Sequence, residues 1–312
     1  MTDRILLGVA LMLGFVATAP LIDVASKLAA GTLPVGQVTA ARFLVQGAIM
    51  LPVAVLMGHG LGLARGLVGL IALRALTLVL STFAFVSAID VMPLADALAI
   101  VFVMPFILLI LGKLVFDDAV GPRRIAACLV GFGGCLLVIQ PSLATFGLVA
   151  LWPLGTAASF AVYMLVTRGL SARMHPVPMQ LQTSAMAFGL CAPVLWWAEG
   201  TGWHALDPEW PRGLAWLWLA GVGAASAVSH MLMTVALRFA PSATLAPLNY
   251  LEIVMSVLLG FLVFGDFPDA LTWAGIAVIV GSGLYVIHRE RLASAALRAA
   301  PPLPGAASRA AG

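Results

Sequence analysis

One stretch of sequence occurs twice and decides the fold. Residues 111–118 read LGKLVFDD, and residues 259–266 read LGFLVFGD. The same register extends without a gap, so that residues 88–139 align with residues 236–287. Two unrelated apolar segments match in part by chance, but they do not repeat their Pro, Gly and Asp residues in the same order. The sequence therefore predicts two homologous halves.

The composition places these halves in a membrane. Of the 312 residues, 62% are hydrophobic and only 9% are charged, and the mean hydropathy is +1.09. A soluble domain carries roughly 25% charged residues, because its surface must stay hydrated. We therefore expect an integral membrane protein in contact with the lipid bilayer, and we exclude a soluble enzyme, a nucleic-acid-binding module and a secreted disulfide scaffold. The three cysteines lie in apolar runs without metal-ligand spacing, so no metal is expected.

Ten stretches are apolar over the length that a membrane-spanning helix needs, about 20 residues at 1.5 Å each. Gly, Pro and charged residues cluster at the breaks between them. The predicted spans are 5–28, 36–57, 66–89, 93–114, 122–140, 147–167, 177–198, 213–237, 243–264 and 270–288. The chain is thus predicted to be an all-α polytopic membrane protein with ten transmembrane helices.

Each half contains five of these spans, and an odd number inserts the second half upside down. We predict a first repeat over residues 1–144, a second repeat over residues 145–290, and a disordered, basic cytoplasmic tail over residues 291–312. Inverted repeats are the architecture of carriers that work by alternating access, with the binding site near the midplane between the halves.

The basic residues predict the orientation of the chain. Lys and Arg accumulate in the cytoplasmic loops of membrane proteins. With the N-terminus inside, most of the Lys and Arg outside the spans fall on the cytoplasmic side, and only Lys27 and Arg212 fall on the other side. We therefore predict a multi-pass protein with both termini in the cytoplasm.

Two regions resemble a known family. Residues 33–43, LPVGQVTAARF, place a Pro, a polar turn and Arg-Phe at the second span. The block 83–139 and its copy 231–287 supply the rest of the pattern. Across residues 4–290 the chain resembles the ten-helix EamA-type family of the drug/metabolite transporter superfamily.

The resemblance implies a function. The stretches APLID (19–23) and APLNY (246–250) look most similar to bacterial riboflavin transporters and next to S-adenosylmethionine carriers. The resemblance implies a secondary transporter that moves a small organic metabolite across the bacterial inner (plasma) membrane. Riboflavin uptake is the first expectation for its function. S-adenosylmethionine, amino-acid or drug transport, including export, is the alternative. The family often has Gly-Glu where this sequence has Asp118 and Asp266, which leaves these acids no implied role beyond helix capping.

The sequence lacks the common motifs of enzymes that act within membranes or bind nucleotides. There is no phosphate-binding GxxxxGK[S/T] loop, and no HExxH motif, paired Asp or Ser/His nucleophile arrangement lies within the spans. We therefore expect no catalytic residues and no cofactor, with an intramembrane enzyme as the remote alternative. Whether the carrier is a monomer or a homodimer stays open.

Four ionisable residues lie inside spans, where a charge at the bilayer centre costs roughly 2.5–3.5 kcal/mol. Asp23 and Arg42 lie about equally deep below the outer surface, which predicts an outer ion pair, either a bridge that pins two helices or a gate. Arg74 and Glu252 both lie near the midplane, in different halves. They predict a second pair that lines the central cavity, with a static bridge as the alternative.

Further polar and aromatic residues complete the predicted central cavity. Its substrate-binding residues are predicted to be Gln46, Arg74, Phe83, Phe102, Phe106, Tyr163, His230, Asn249, Tyr250 and Glu252. Aromatic rings of this kind can stack on a flat heterocycle, although they more often belong to the core. A lone His is likewise more often a packing group than a proton relay. The balance of acids and arginines favours a neutral or zwitterionic aromatic substrate.

Overall fold

A computed structural model describes residues 2–59, 62, 65–92, 94–118, 120–139, 147–264 and 270–299. Within these ranges the chain forms helices and no strands, which confirms the all-α class. The helices are α1 (Thr2–Ala30), α2 (Val35–Leu56), α3 (Val68–Val91), α4 (Leu94–Val101), α5 (Met104–Phe116), α6 (Pro122–Ile139), α7 (Leu151–Ser171), α8 (Pro176–Ala198), α9 (Ala215–Phe239), α10 (Ser242–Leu245), α11 (Glu252–Phe264) and α12 (Ala270–Ala299). Short 3₁₀ turns cover Arg65–Leu67, Gly147–Ala150 and Ala246–Leu251.

These helices follow the ten predicted spans. Among the described residues, 7 helical stretches are long and apolar enough to cross a membrane. The predicted fourth span consists of α4 and α5, and the ninth consists of α10, the turn Ala246–Leu251 and α11. In α8 the hydropathy is lowered by polar residues such as Gln180 and Thr183, which are buried inside the protein and do not face lipid.

The fourth and ninth spans are broken at the same point of the repeat. α5 begins at Met104 and α11 begins at Glu252, two positions that the sequence alignment pairs. Pro105 in the first turn of α5 lacks a backbone N–H, which suits it to a helix start. In the second half, the side-chain amide of Asn249 donates to two backbone carbonyls three and four residues earlier, at 3.1 and 3.4 Å. Carriers with inverted repeats use such discontinuous helices at their binding sites.

The packing of the helices repeats about a pseudo-twofold axis. α1 packs along α9 and α3 along α7, and these contacts are equivalent because α1 corresponds to α7 and α3 to α9. α2 packs against α8 and α6 against α12, so that corresponding helices of the two halves meet. The boundary predicted at residue 144 lies outside the described residues.

The predicted tail begins too early. α12 continues to Ala299, so residues 291–299 are helical where disorder was expected. Ala, Leu and Arg, which dominate this segment, have high helix propensity and extend the helix beyond its apolar part. Residues 300–312 lie outside the described part of the chain.

An ion pair between the halves closes one end of the bundle. Arg168 of α7 donates from both terminal nitrogens to the two carboxylate oxygens of Asp118, at 2.6 and 2.8 Å. Ser242, the first residue of α10, donates to the same carboxylate at 3.1 Å. The guanidinium also lies 4.2 Å from the centre of the Phe116 ring. Asp118 therefore joins the two halves, a role that the sequence did not predict, at the end predicted to be cytoplasmic.

A left-handed turn presents Asp118 to its partner. Asp117 has φ 51°, the one positive value at a residue other than Gly within the described ranges. The backbone N–H of Asp118 donates to the carbonyl of Gly112 at 3.2 Å. Asp117 itself is exposed and pairs with Lys113, whose hydrogen bond lowers the pKa of the Asp117 carboxyl. The second half has Gly265 at the position that corresponds to Asp117.

We expect Asp118→Asn to open this end of the bundle. Arg168 then loses a partly buried anion, a change that costs up to about 3 kcal/mol. The measure is the labelling of Ser81→Cys, a cavity position, by an impermeant maleimide in inside-out vesicles that lack the native cysteines. The labelling rate in Asp118→Asn should be at least about tenfold higher than in the protein with Asp118. A tenfold change corresponds to about 1.4 kcal/mol in the equilibrium between the closed and the open state. Asp117→Asn is the matched control and should leave the rate unchanged; equal rates in the two variants would contradict the closing role.

Candidate substrate site

A small cavity lies between the two halves. Its volume is about 90 Å³, and its walls come from α1, α2, α3, α4, α5, α7, α9 and α11. Met104 and Glu252, the first residues after the two helix breaks, both line it. Ligand pockets measure roughly 300–1,000 Å³. In this conformation the cavity is thus smaller than a metabolite-sized pocket, and it must widen to hold such a ligand.

The predicted ion pair between Asp23 and Arg42 is absent, although both residues line the cavity. Arg42 instead donates to the hydroxyl of Thr82 at 2.6 Å and to Nε2 of His230 at 2.8 Å. The Oδ2 atom of Asp23 and the Nε atom of Arg42 are buried without a hydrogen-bond partner among the described residues. Equal depth was therefore insufficient, because neutral acceptors on α3 and α9 lie closer to the guanidinium.

The predicted pair between Arg74 and Glu252 is also wrong. Arg74 is 0% exposed, and all of its hydrogen-bond acceptors are neutral. It donates to Thr167 at 2.8 Å, Thr183 at 2.5 Å, Tyr163 at 2.8 Å, Gln180 at 2.8 Å and Thr234 at 3.3 Å. The guanidinium lies 4.6 Å from the centre of the Tyr163 ring. Hydroxyl and amide oxygens from α7, α8 and α9 thus replace the expected carboxylate.

Glu252 faces the cavity without a salt bridge to any described residue. The hydrogen bonds that the structure records at this residue involve its backbone: the N–H donates to the carbonyls of Asn249 and Tyr250, and the carbonyl accepts from the hydroxyl of Ser256. Its carboxylate and that of Asp23 share the cavity with the single guanidinium of Arg42.

A chain of hydrogen bonds connects the two arginines. Arg42 donates to Nε2 of His230, and Nδ1 of His230 lies 2.8 Å from the hydroxyl oxygen of Tyr163. A guanidinium can only donate, so Nε2 accepts and the ring hydrogen of neutral His230 resides on Nδ1. Nδ1 then donates to Tyr163, which also accepts from Arg74. The chain passes from α2 to α9 to α7 to α3 and thereby crosses between the halves twice.

The predicted aromatic residues divide into two groups. Phe102 lines the cavity, whereas Tyr250 packs behind it against Phe102 and Phe132, with ring centres 5.9 and 6.5 Å apart. Phe106 packs edge-on against Phe132 at 5.6 Å. Phe83 contacts Trp152 in a separate groove, so its predicted place in the central cavity is not supported.

The remaining predicted residues stand behind the cavity wall. Tyr163 and Arg74 act through His230, and Asn249 stabilises the helix break. Gln46 is fully buried in α2, and neither polar atom of its amide has a partner among the described residues.

Several cavity residues were missed by the sequence analysis. Phe15, Phe85 and Phe160 line the cavity, together with the hydroxyl-bearing Ser81 and Thr156. Helical periodicity could have identified two of these residues. Phe15 lies two turns before Asp23 and Phe160 lies one turn before Tyr163, so each ring is on the same helix face as a predicted polar residue. Extending the face of each buried polar residue by one or two turns would have found both rings.

We expect Tyr163→Phe to lower the melting temperature of the purified protein in detergent. The change removes the oxygen that accepts from both His230 and Arg74, and unsatisfied buried donors cost about 1–3 kcal/mol. Tyr285→Phe, which alters a 44% exposed tyrosine on α12, is the control and should melt like the wild type. Equal melting temperatures for all three proteins would show that the chain does not stabilise the fold.

Comparison with known proteins agrees with this architecture. The model of the EamA-like transporter family matches residues 6–140 and again residues 147–287, the two halves. A solved crystal structure superposes with a TM-score of 0.71 over 89% of this chain and 96% of its own, at 20% identity, which supports the fold alone.

Named relatives are transporters. A riboflavin transporter of Rhizobium johnstonii is 29% identical over 221 residues, 70% of this chain and 69% of its own. One from Brucella anthropi is 27% identical over 209 residues, 66% and 72% of the two chains. An S-adenosylmethionine uptake transporter of Rickettsia prowazekii is 24% identical over 287 residues, 91% and 93%. Since the family model covers both halves, the chain belongs to the EamA-like transporter family.

Proposed function

We propose that this protein is a secondary carrier that moves a small organic metabolite across the bacterial inner membrane by alternating access, with riboflavin uptake as the first assignment. The observation that carries the proposal is the cavity between two inverted halves, bounded by the breaks of two discontinuous helices. The pair between Asp118 and Arg168 joins the two halves at one end of the bundle, and we expect it to break when the carrier opens on that side. The distribution of Lys and Arg supports an orientation with both termini in the cytoplasm, on the side of that pair.

The chemistry of the cavity supports an aromatic substrate with a polar edge. The rings of Phe15, Phe85, Phe102 and Phe160 line the walls and can stack on a flat heterocycle. The unpartnered donor of Arg42 and the unpartnered acceptor of Asp23 suit a ligand edge that carries both a carbonyl and an N–H group. The flavin ring has such an edge, and two of the relatives described above are riboflavin transporters.

S-adenosylmethionine uptake is the second candidate. Two carboxylates, Asp23 and Glu252, line the cavity with a single guanidinium, and this excess of acid favours a substrate that carries positive charge. The relative from Rickettsia prowazekii, named for this substrate, covers 91% of the chain.

Transport by purified protein in proteoliposomes tests the assignment. We expect saturable uptake of labelled riboflavin that excess S-adenosylmethionine does not inhibit. Arg42→Gln removes the guanidinium from the cavity and should raise KM at least about tenfold, or 1.4 kcal/mol. Arg212→Gln, an exposed substitution in the loop before α9, is the control and should transport like the wild type.

The outcomes separate the candidates. Saturable S-adenosylmethionine uptake without riboflavin uptake would replace the first assignment by the second. An unchanged KM in Arg42→Gln would remove Arg42 from the substrate site. Chemical conversion of either solute would contradict a carrier, since a carrier only moves its substrate.

A further inference from the structure

The charges in the cavity do not balance. Asp23 from α1 and Glu252 from α11 contribute two carboxyl groups, and Arg42 from α2 is the sole cation among the lining residues. One guanidinium compensates one carboxylate. An additional ionised carboxylate deep in the membrane requires a partner, because its transfer from water costs several kcal/mol.

Neither carboxylate of the cavity is paired with a cation. Arg42 donates to Thr82 and His230 and forms no ion pair with Asp23. Glu252 forms no salt bridge with a described residue either. Among the other titratable groups near it, Cys135 on α6 and Tyr250 in the preceding turn carry no positive charge.

An independent feature of the cavity also calls for an exchangeable partner. Arg42 is only 7% exposed, and its buried Nε donor has no acceptor among the described residues. The Oδ2 atom of Asp23 is buried without a donor. A buried polar group left unsatisfied is costly, so these two atoms favour a partner that enters with the solvent or the substrate.

His230 does not hold the exchangeable proton. Its Nε2 accepts from Arg42, and its Nδ1 already donates to Tyr163. A second proton on Nε2 would point at the N–H groups of the guanidinium and force Arg42 away. Asp23 and Glu252 remain as the cavity acceptors without an ion pair to a described residue, and Glu252 is the one that lies at a helix break, where the two halves meet.

We propose that Glu252 is a proton-binding site through which the carrier couples transport to the proton gradient. In the described conformation its carboxyl group is protonated. When the cavity opens to one side, the carboxylic acid gives its proton to water and becomes a carboxylate. A hydronium ion on the other side returns a proton to the same oxygen and leaves water. The inference depends on the protein being a carrier but not on riboflavin as the substrate.

Infrared difference spectroscopy of the reconstituted protein tests the protonation without any substrate. A protonated carboxyl group has a C=O stretching band that an ionised carboxylate lacks. We expect this band at neutral pH in the wild type and its loss in Glu252→Gln. Glu199→Gln makes the same substitution at an exposed residue after α8 and should retain the band. A wild type without the band, or Glu252→Gln with an undiminished band, would overturn the proposal.

Proton movement during transport tests the coupling. With a pH-sensitive dye inside proteoliposomes, riboflavin flux through the wild type should change the internal pH, and an imposed pH gradient should concentrate riboflavin. Glu199→Gln should behave alike, and Glu252→Gln should lose both responses. Riboflavin flux without proton movement in the wild type would refute the coupling. Absence of riboflavin flux would count against the substrate assignment alone, because the infrared result is independent of it.

Discussion

A guanidinium with no exposed surface, that of Arg74, imposes the strictest requirement on this structure. Lipid offers no hydrogen bonds, so every N–H of the group must find an oxygen inside the protein. The oxygens come from α7, α8 and α9 of the second half, whereas Arg74 belongs to α3 of the first. The charge thereby holds the two halves at a defined distance, and it explains why α8 carries amides and hydroxyls along a membrane-spanning helix.

The same requirement extends to the cavity through Tyr163 and His230. Tyr163 accepts from Arg74 and also from His230, and His230 in turn accepts from Arg42. His230 can accept from Arg42 through Nε2 because its Nδ1 hydrogen is donated to Tyr163. The orientation of Arg42 therefore depends on Tyr163, which it does not contact through a hydrogen bond. The residues that line the cavity are thus supported by residues that do not reach it.

The sequence predicted the architecture well and the contacts poorly, for one physical reason. The composition and the lengths of the apolar stretches indicate which segments are long enough to span a bilayer. The repeated LGxLVF motif indicates an internal duplication. The spans, the repeats and the family could therefore be predicted from the sequence. Counting residues along a helix gives depth but not direction around the axis. Arg74 and Glu252 are therefore close in depth yet face different partners, and Phe83 lies outside the cavity that Phe102 lines. The helix breaks at Met104 and Glu252 required knowledge of tertiary packing that hydropathy does not contain.

The turn after α5 shows how the sequences of the two halves differ at equivalent positions. The first copy tolerates a strained, left-handed Asp117 where the second copy has the more permissive glycine, Gly265. Next to it, the carboxylate of Asp118 accepts from Arg168, which lies one turn before the end of α7. Asp117 adds to this turn an exposed carboxylate that pairs with Lys113, whereas the second copy has Phe261 and Gly265 at the corresponding positions. Two halves that share one fold can in this way carry different surface charges at equivalent positions.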